Sequence, residues 1–172
     1  MCTLNVEKGM KLVMIIEYEE KYAEEVKDLF VELQEHIVNI DKEKYNQITP
    51  QYREIYFTKT LDEVKKYEGK IFLYEKNNHI VGLIAGMINN DALDTYDFKA
   101  PKRGRISELI VSKNCRSEGI GKKLLKAMEE HLKVLGCQDI LIGVFGYNER
   151  AIQFYEKMGY HTRMIEVTKK II

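Results

Sequence analysis

Apolar residues recur along this chain in two rhythms, and the switches between them mark out its elements. "MKLVMIIEY", Met10 to Tyr18, reads as a first strand, and Val26, Leu29, Phe30, Leu33, Ile37 and Ile40 follow at helical spacing. "TPQYREIYF" offers Thr49 as an N-cap with Pro50 at the first helical position, and Thr60 and Glu63 have the spacing of a capping box. Two short helices ending near Gly69 are therefore expected. "KIFLYEK" and "HIVGLIAGMI" are β-rich runs on either side of Asn77 and Asn78, whose tolerance of positive φ suits a hairpin turn. From Asn89 to Gly104 no period persists, and a loop is expected.

The second half is more regular. "RISELIV" has strand character, and Ile120, Leu124, Leu125, Met128, Leu132 and Leu135 make one apolar face of a helix that Gly136 caps. "DILIGVF" is a nearly continuous apolar strand, so the three segments form a βαβ unit whose right-handed crossover lays the strands parallel. Asn148 caps a helix over "ERAIQFYEKM", Gly159 ends it, and "YHTRMIEV" alternates like a final strand. The expected architecture is α/β: a single domain over 1–172 with a mixed central sheet flanked by helices on both faces.

Composition narrows the partners. Lysine plus arginine equals aspartate plus glutamate at 27 each, so no global field draws nucleic acid or an anionic membrane. Four basic residues, Lys99, Lys102, Arg103 and Arg105, stand beside Asp91, Asp94 and Asp97 and make a poor nucleic-acid footprint. "LVMII", Leu12 to Ile16, is too short for a signal-peptide core or a membrane span, and a cytoplasmic location is expected. Cys2, Cys115 and Cys137 lack CxxC spacing, and His36, His79, His131 and His161 are scattered, so neither a disulfide framework nor a metal site is expected.

The chemistry concentrates in "RSEGIG", Arg116 to Gly121, which crowds two glycines against a helix start. Glycine lets the backbone approach a ligand, and the unpaired N–H groups of a helix start bind anions, a phosphate above all. A P-loop would need glycine where Arg116 stands and serine or threonine where Lys123 stands. A dinucleotide fingerprint starting at Gly119 would need glycine in place of the core residue Leu124. The glycines could also permit a tight turn and nothing more.

In this setting Arg116, Gly119 and Gly121 resemble the acyl-CoA signature Q/R-x-x-G-x-G/A of the GCN5-related N-acetyltransferase (GNAT) family. "NERAIQFYEKMGY" is similar to that family's second signature, with Asn148, Ala151, Phe154, Tyr155, Gly159 and Tyr160 in register. The two motifs span about Ile106 to Tyr160, within an acyl-CoA-binding core of about 104–160. The resemblance implies a GNAT-like fold, acetyl-CoA as cosubstrate without a metal, and transfer of an acetyl group to a primary amine in a ternary complex.

It also implies roles. Backbone amides of Arg116, Ser117, Glu118, Gly119, Ile120, Gly121 and Lys122 would cradle the pyrophosphate, with side-chain charge from Arg116, Lys122 and Lys123, although such lysines are usually solvated. A bulge in the strand would free an N–H among Leu109, Ile110 and Val111, with Ile110 and Val111 the expected oxyanion donors. Tyr155 would protonate the leaving thiolate, against the reading of an ordinary core-facing tyrosine. Glu108, in an otherwise apolar strand, would be the general base, or else an ion-pair partner of Arg105 or Arg163. Asn148 would hold coenzyme or water, or only cap its helix. Cys115 has no adjacent histidine and is read as a passive loop residue.

The acceptor would be a small-molecule amine or a protein amine. Its selectivity would lie in Asp41–Gly69 and Asn90–Arg103, where Asp91, Asp94 and Asp97 could draw a cation. Two narrower alternatives are a protein N-terminal acetyltransferase and a noncatalytic acyl-CoA-binding regulatory module. A homodimer is compatible with the resemblance.

Overall fold

The computed structural model describes residues 13–89 and 101–171. Five strands form one sheet in the order β1-β2-β3-β4-β5. They are β1 (Val13–Glu17), β2 (Lys70–Lys76), β3 (His79–Ile88), β4 (Arg103–Val111) and β5 (Asp139–Ile142). β1 to β4 pair antiparallel and β4 pairs β5 in parallel, so the sheet is mixed. Helices α1 (Ala23–Ile40) and α2 (Tyr52–Lys66) cover one face, and α3 (Ile120–Val134) and α4 (Glu149–Lys157) the other. Each face buries its own apolar cluster, as two-sided α/β layering requires.

Local chemistry accounts for most elements. Asn77 and Asn78 have φ of 54° and 63°, the pair of positive values a two-residue hairpin turn needs. The expected βαβ unit is present, with Gly136 at φ 82° just past α3. α3 lies deep on the sheet because glycines make room for it. A Cβ at Gly86 would stand 2.6 Å from Met128 Sδ, and one at Gly104 2.6 Å from Leu132 Cδ1.

Four expectations are corrected. α2 is one continuous helix: Gln51 precedes it without a side-chain cap, and Thr60 Oγ1 donates to the Tyr56 carbonyl instead of opening a second helix. Arg103 and Gly104 belong to β4, where buried Arg103 pairs with Asp139 at 3.0 Å and so leaves the suspected basic patch. β5 stops at Ile142, short of Phe145, because β4 and β5 pair only from Arg103/Asp139 to Ile106/Ile142. Residues 160–167 form no strand and are exposed after Tyr160, so their alternation finds no sheet edge here. Met10 to Leu12, Cys2, Asp91, Asp94, Asp97 and Lys99 lie outside the described residues. Among the described residues no helix is long and apolar enough to cross a membrane, and no cluster of His, Cys, Asp and Glu could hold a metal ion.

Candidate active site

β4 builds the site through one irregularity. Ala85 pairs with Glu108, whereas the next β3 residue, Gly86, pairs with Ile106, which leaves Ser107 as an extra residue. The bulge shifts the alternation of the strand. Ile106 packs against α3, while beyond Ser107 it is Leu109 and Val111 that join that face, and Glu108 and Ile110 turn to α1 and α2. Glu108 thus reaches α2 because of a residue inserted just before it.

This bulge lies earlier than the resemblance led one to expect, since Leu109 to Val111 run in unbroken register with Ile84 to Gly82. Ser112 donates its N–H to the Val81 carbonyl, and by strand alternation Ile110 and Glu108 also turn their main-chain groups to β3. Ile110 is therefore not a free donor. Leu109 and Val111 point the other way, to an edge that β5 leaves open beyond Ile106. Arg116 Nε donates to the Val111 carbonyl at 2.9 Å, so the strand's outward N–H groups are what this edge offers a ligand.

The glycine-rich turn follows directly. Ser117 and Gly119 have φ of 69° and 77°, and Gly119 precedes α3 with no side chain capping the helix start. The first amide seen to enter the helix ladder is that of Lys123, to the Gly119 carbonyl at 3.2 Å, so Ile120, Gly121 and Lys122 present N–H groups without intrahelical acceptors. A Cβ at Gly119 would meet nothing within 4 Å, so the space before these amides is open. This arrangement fits an anion.

Most of the nearby charged side chains are occupied elsewhere. Arg116 Nη2 donates to Glu32 Oε1 at 3.4 Å, and the same oxygen accepts the Lys113 N–H at 2.5 Å. Glu118 pairs with Lys76 at 2.6 Å, and Lys123 Nζ donates to Tyr74 Oη at 3.1 Å. Lys122 is exposed. The turn therefore offers its backbone more than its charges. Asn148 is the N-cap of α4, its Oδ1 accepting the Ala151 N–H at 3.2 Å.

Glu108 is 8% exposed, and its hydrogen-bond partner is Tyr56 of α2, which donates to Oε1. Arg105 acts on it only through space, and Arg163 lies in the exposed tail, so neither makes the anticipated ion pair. Burial pushes the Glu108 carboxyl up to about 7, partly offset by the Tyr56 hydroxyl. Tyr155 packs edge-on against Phe154 and Tyr160, with centroids at 5.2 and 5.7 Å. Its phenol is pushed up to about 12, first by burial and then by the Glu108 charge, which places the two within electrostatic reach.

Sequence reading overlooked Tyr56, Tyr52 and Glu32. The two tyrosines share a helix face at i, i+4, which is legible, but Glu108 lies 52 positions from Tyr56 and nothing local announces the contact.

The chain belongs to the Acetyltransferase (GNAT) family, which it matches over residues 34–160. An uncharacterized N-acetyltransferase of Methanocaldococcus jannaschii is 31% identical over 100 residues, 58% of this chain and 57% of that protein. The matched segments thus span about half the length of the curated relatives or less. A single-substitution mutant of the BH1408 protein from Bacillus halodurans superposes with a TM-score of 0.82 at 19% identity, covering 92% of this chain and 99% of that one. AAC(6')-Iy, solved with the bisubstrate analogue CoA-S-monomethyl-acetylneamine, superposes at 0.66 and 13% identity, again over 92% and 99%. Both likenesses establish the fold.

Proposed function

We propose that this protein is an acetyl-CoA-dependent N-acetyltransferase that transfers the acetyl group directly to a primary amine in a ternary complex. One observation carries the reading: an uncapped helix start, an open strand edge with outward N–H groups, and a buried carboxylate follow one another along β4 and its turn. The first suits a diphosphate, the second a carbonyl oxygen that gains charge, the third the proton of an attacking amine.

In the reaction the amine nitrogen attacks the thioester carbonyl carbon, and the C–S bond breaks. The proton leaving nitrogen goes to Glu108, and the Tyr155 hydroxyl supplies one to the departing sulfur. Leu109 and Val111 N–H groups stabilise the developing oxyanion, while the amides from Arg116 to Lys122 hold the pyrophosphate. The coenzyme supplies an activated acyl group, and this chain supplies position and proton transfer. No histidine adjoins Cys115 in sequence, which favours direct transfer over an acyl-enzyme.

The test is thiol release from acetyl-CoA across a panel of small amines, lysine peptides and peptides with free N-termini. Release with at least one acceptor, reduced in Glu108→Gln and Tyr155→Phe, is expected. Release confined to free N-termini selects the protein N-terminal reading. Acetyl-CoA binding with no release across the panel overturns the enzymatic reading in favour of a regulatory module.

A further inference from the structure

α2 turns Tyr56, stacked on Tyr52, toward Glu108. Tyr52 and Tyr56 stand one turn apart with rings stacked, centroids 5.0 Å apart and planes at 18°. Phe30 of α1 meets the Tyr56 ring edge-on at 5.4 Å and 83°. The ring is therefore in contact with aromatic neighbours on two helices, and swinging it away would break both contacts. Its hydroxyl is aimed at Glu108 Oε1, to which it donates.

That bond has two chemical consequences. It occupies one carboxylate oxygen and leaves Oε2. It also favours the ionised carboxylate, a stronger acceptor than the acid, against the burial that favours the neutral form. Other groups acting on this small cluster are Tyr52, Lys59 and Glu63 from α2, Arg105 beside it on β4 and Tyr155 from α4. Lys59 and Arg105 act on Glu108 without a hydrogen bond to it, and Glu63 opposes them.

We infer that Tyr56 is a positioning residue: held between Tyr52 and Phe30, it fixes Glu108 by Oε1, leaves Oε2 to take the acceptor's proton, and offsets the cost of a buried negative charge. The inference rests on the proposed transferase reaction. It adds that α2, outside both sequence signatures, tunes the base. Without this donor the carboxylate would still be buried but would lie mostly in its acid form at neutral pH, unable to accept a proton.

The experiment is a pH profile of kcat/KM for Tyr56→Phe, which keeps the ring and its stacking. The acidic limb is expected to move up by about one to two pH units, the worth of a hydrogen bond to a charged group. Activity at pH 6 would then fall about ten- to a hundredfold and recover at pH 9 to within about threefold of the parent. Acetyl-CoA affinity should hold, and in a Glu108→Gln background the substitution should move no limb.

A second measurement needs no turnover: the carboxyl 13C titration of labelled glutamate, with Glu108 assigned by its loss in Glu108→Gln. It should move up in Tyr56→Phe by the same amount. A limb and a titration that are unmoved overturn the inference and leave the transferase reading intact. A titration that moves while no amine is acetylated overturns the reaction and, with it, the role of the pair.

Discussion

Glu32 on α1 and Arg116 in the turn before α3 lie 84 positions apart, yet one carboxylate oxygen of Glu32 receives both the Arg116 guanidinium and the Lys113 N–H. The first face of the molecule is thereby tied to the glycine-rich turn on the second. Glu32→Ala should loosen that turn and raise the Kd for acetyl-CoA about fivefold, the equivalent of about 1 kcal/mol. Calorimetric titration measures it, and an unchanged Kd would mean that the turn holds its shape alone.

Gly119 tests the proposed anion cradle itself. At φ 77° an alanine is strained by about 1 kcal/mol, which for a chain of this size lowers Tm by about 2–4 °C. Its Cβ would meet no protein atom but would enter the open space before the helix amides. Gly119→Ala should therefore weaken acetyl-CoA binding by more than the strain accounts for. Thermal melts with and without acetyl-CoA separate the two effects.

Tyr155 keeps its proton at any working pH, since burial and the Glu108 charge push it up to about 12. It is thus a donor by constitution. Tyr155→Phe should lower kcat about a hundredfold, the lower end of general-acid contributions, with acetyl-CoA affinity retained. Steady-state kinetics beside calorimetry would remove the assignment if kcat held.

Glu108 sets a cost in stability. Its carboxyl lies near 7 in the folded protein against an ordinary 4.5, so the folded state holds a proton that the unfolded state releases between those values. Stability from this group is full below about 4.5 and falls by about 3 kcal/mol as pH rises through 7. Urea unfolding of Glu108→Gln, which cannot ionise, should show a gain over the parent that is larger at pH 8 than at pH 4.5 by about that amount.

Asp41 acts in the opposite direction. It is 2% exposed and accepts the N–H groups of Glu43, Tyr45 and Asn46, each at 2.8 Å, besides Tyr147 Oη at 3.2 Å. The hydrogen bonds from Asn46 foremost hold its carboxyl well below the usual range. Its stabilisation is present above about 3.8 and is lost as the solution is acidified through the lower folded value. Asp41→Asn should lower Tm at pH 7 and flatten the acid side of the Tm–pH curve.

What could be read along the chain was whatever depends on neighbours in sequence. The Asn77–Asn78 turn, the apolar face of α3, the glycine at its start and the Asn148 cap are each fixed by a few adjacent residues, because φ preference, helical period and capping are local. Two misreadings have the same origin. Thr60 looked like a cap but bonds its own helix, and the alternation in 160–167 only describes a segment able to pair, not whether an edge receives it.

Local patterns along the chain suffice for β1 to β5, for α1, α3 and α4, for the two signatures and for the presence of a carboxylate in an apolar strand. Tertiary pairing set which face that carboxylate takes, because the bulge at Ser107 arises where β4 meets β3. It also decided that Tyr56 meets Glu108 and Glu32 meets Arg116, contacts between segments 52 and 84 positions apart. Side chains so distant along the chain share a site only once both helical layers have closed on the sheet, and that closure is driven by burial over the whole molecule, not by any local preference.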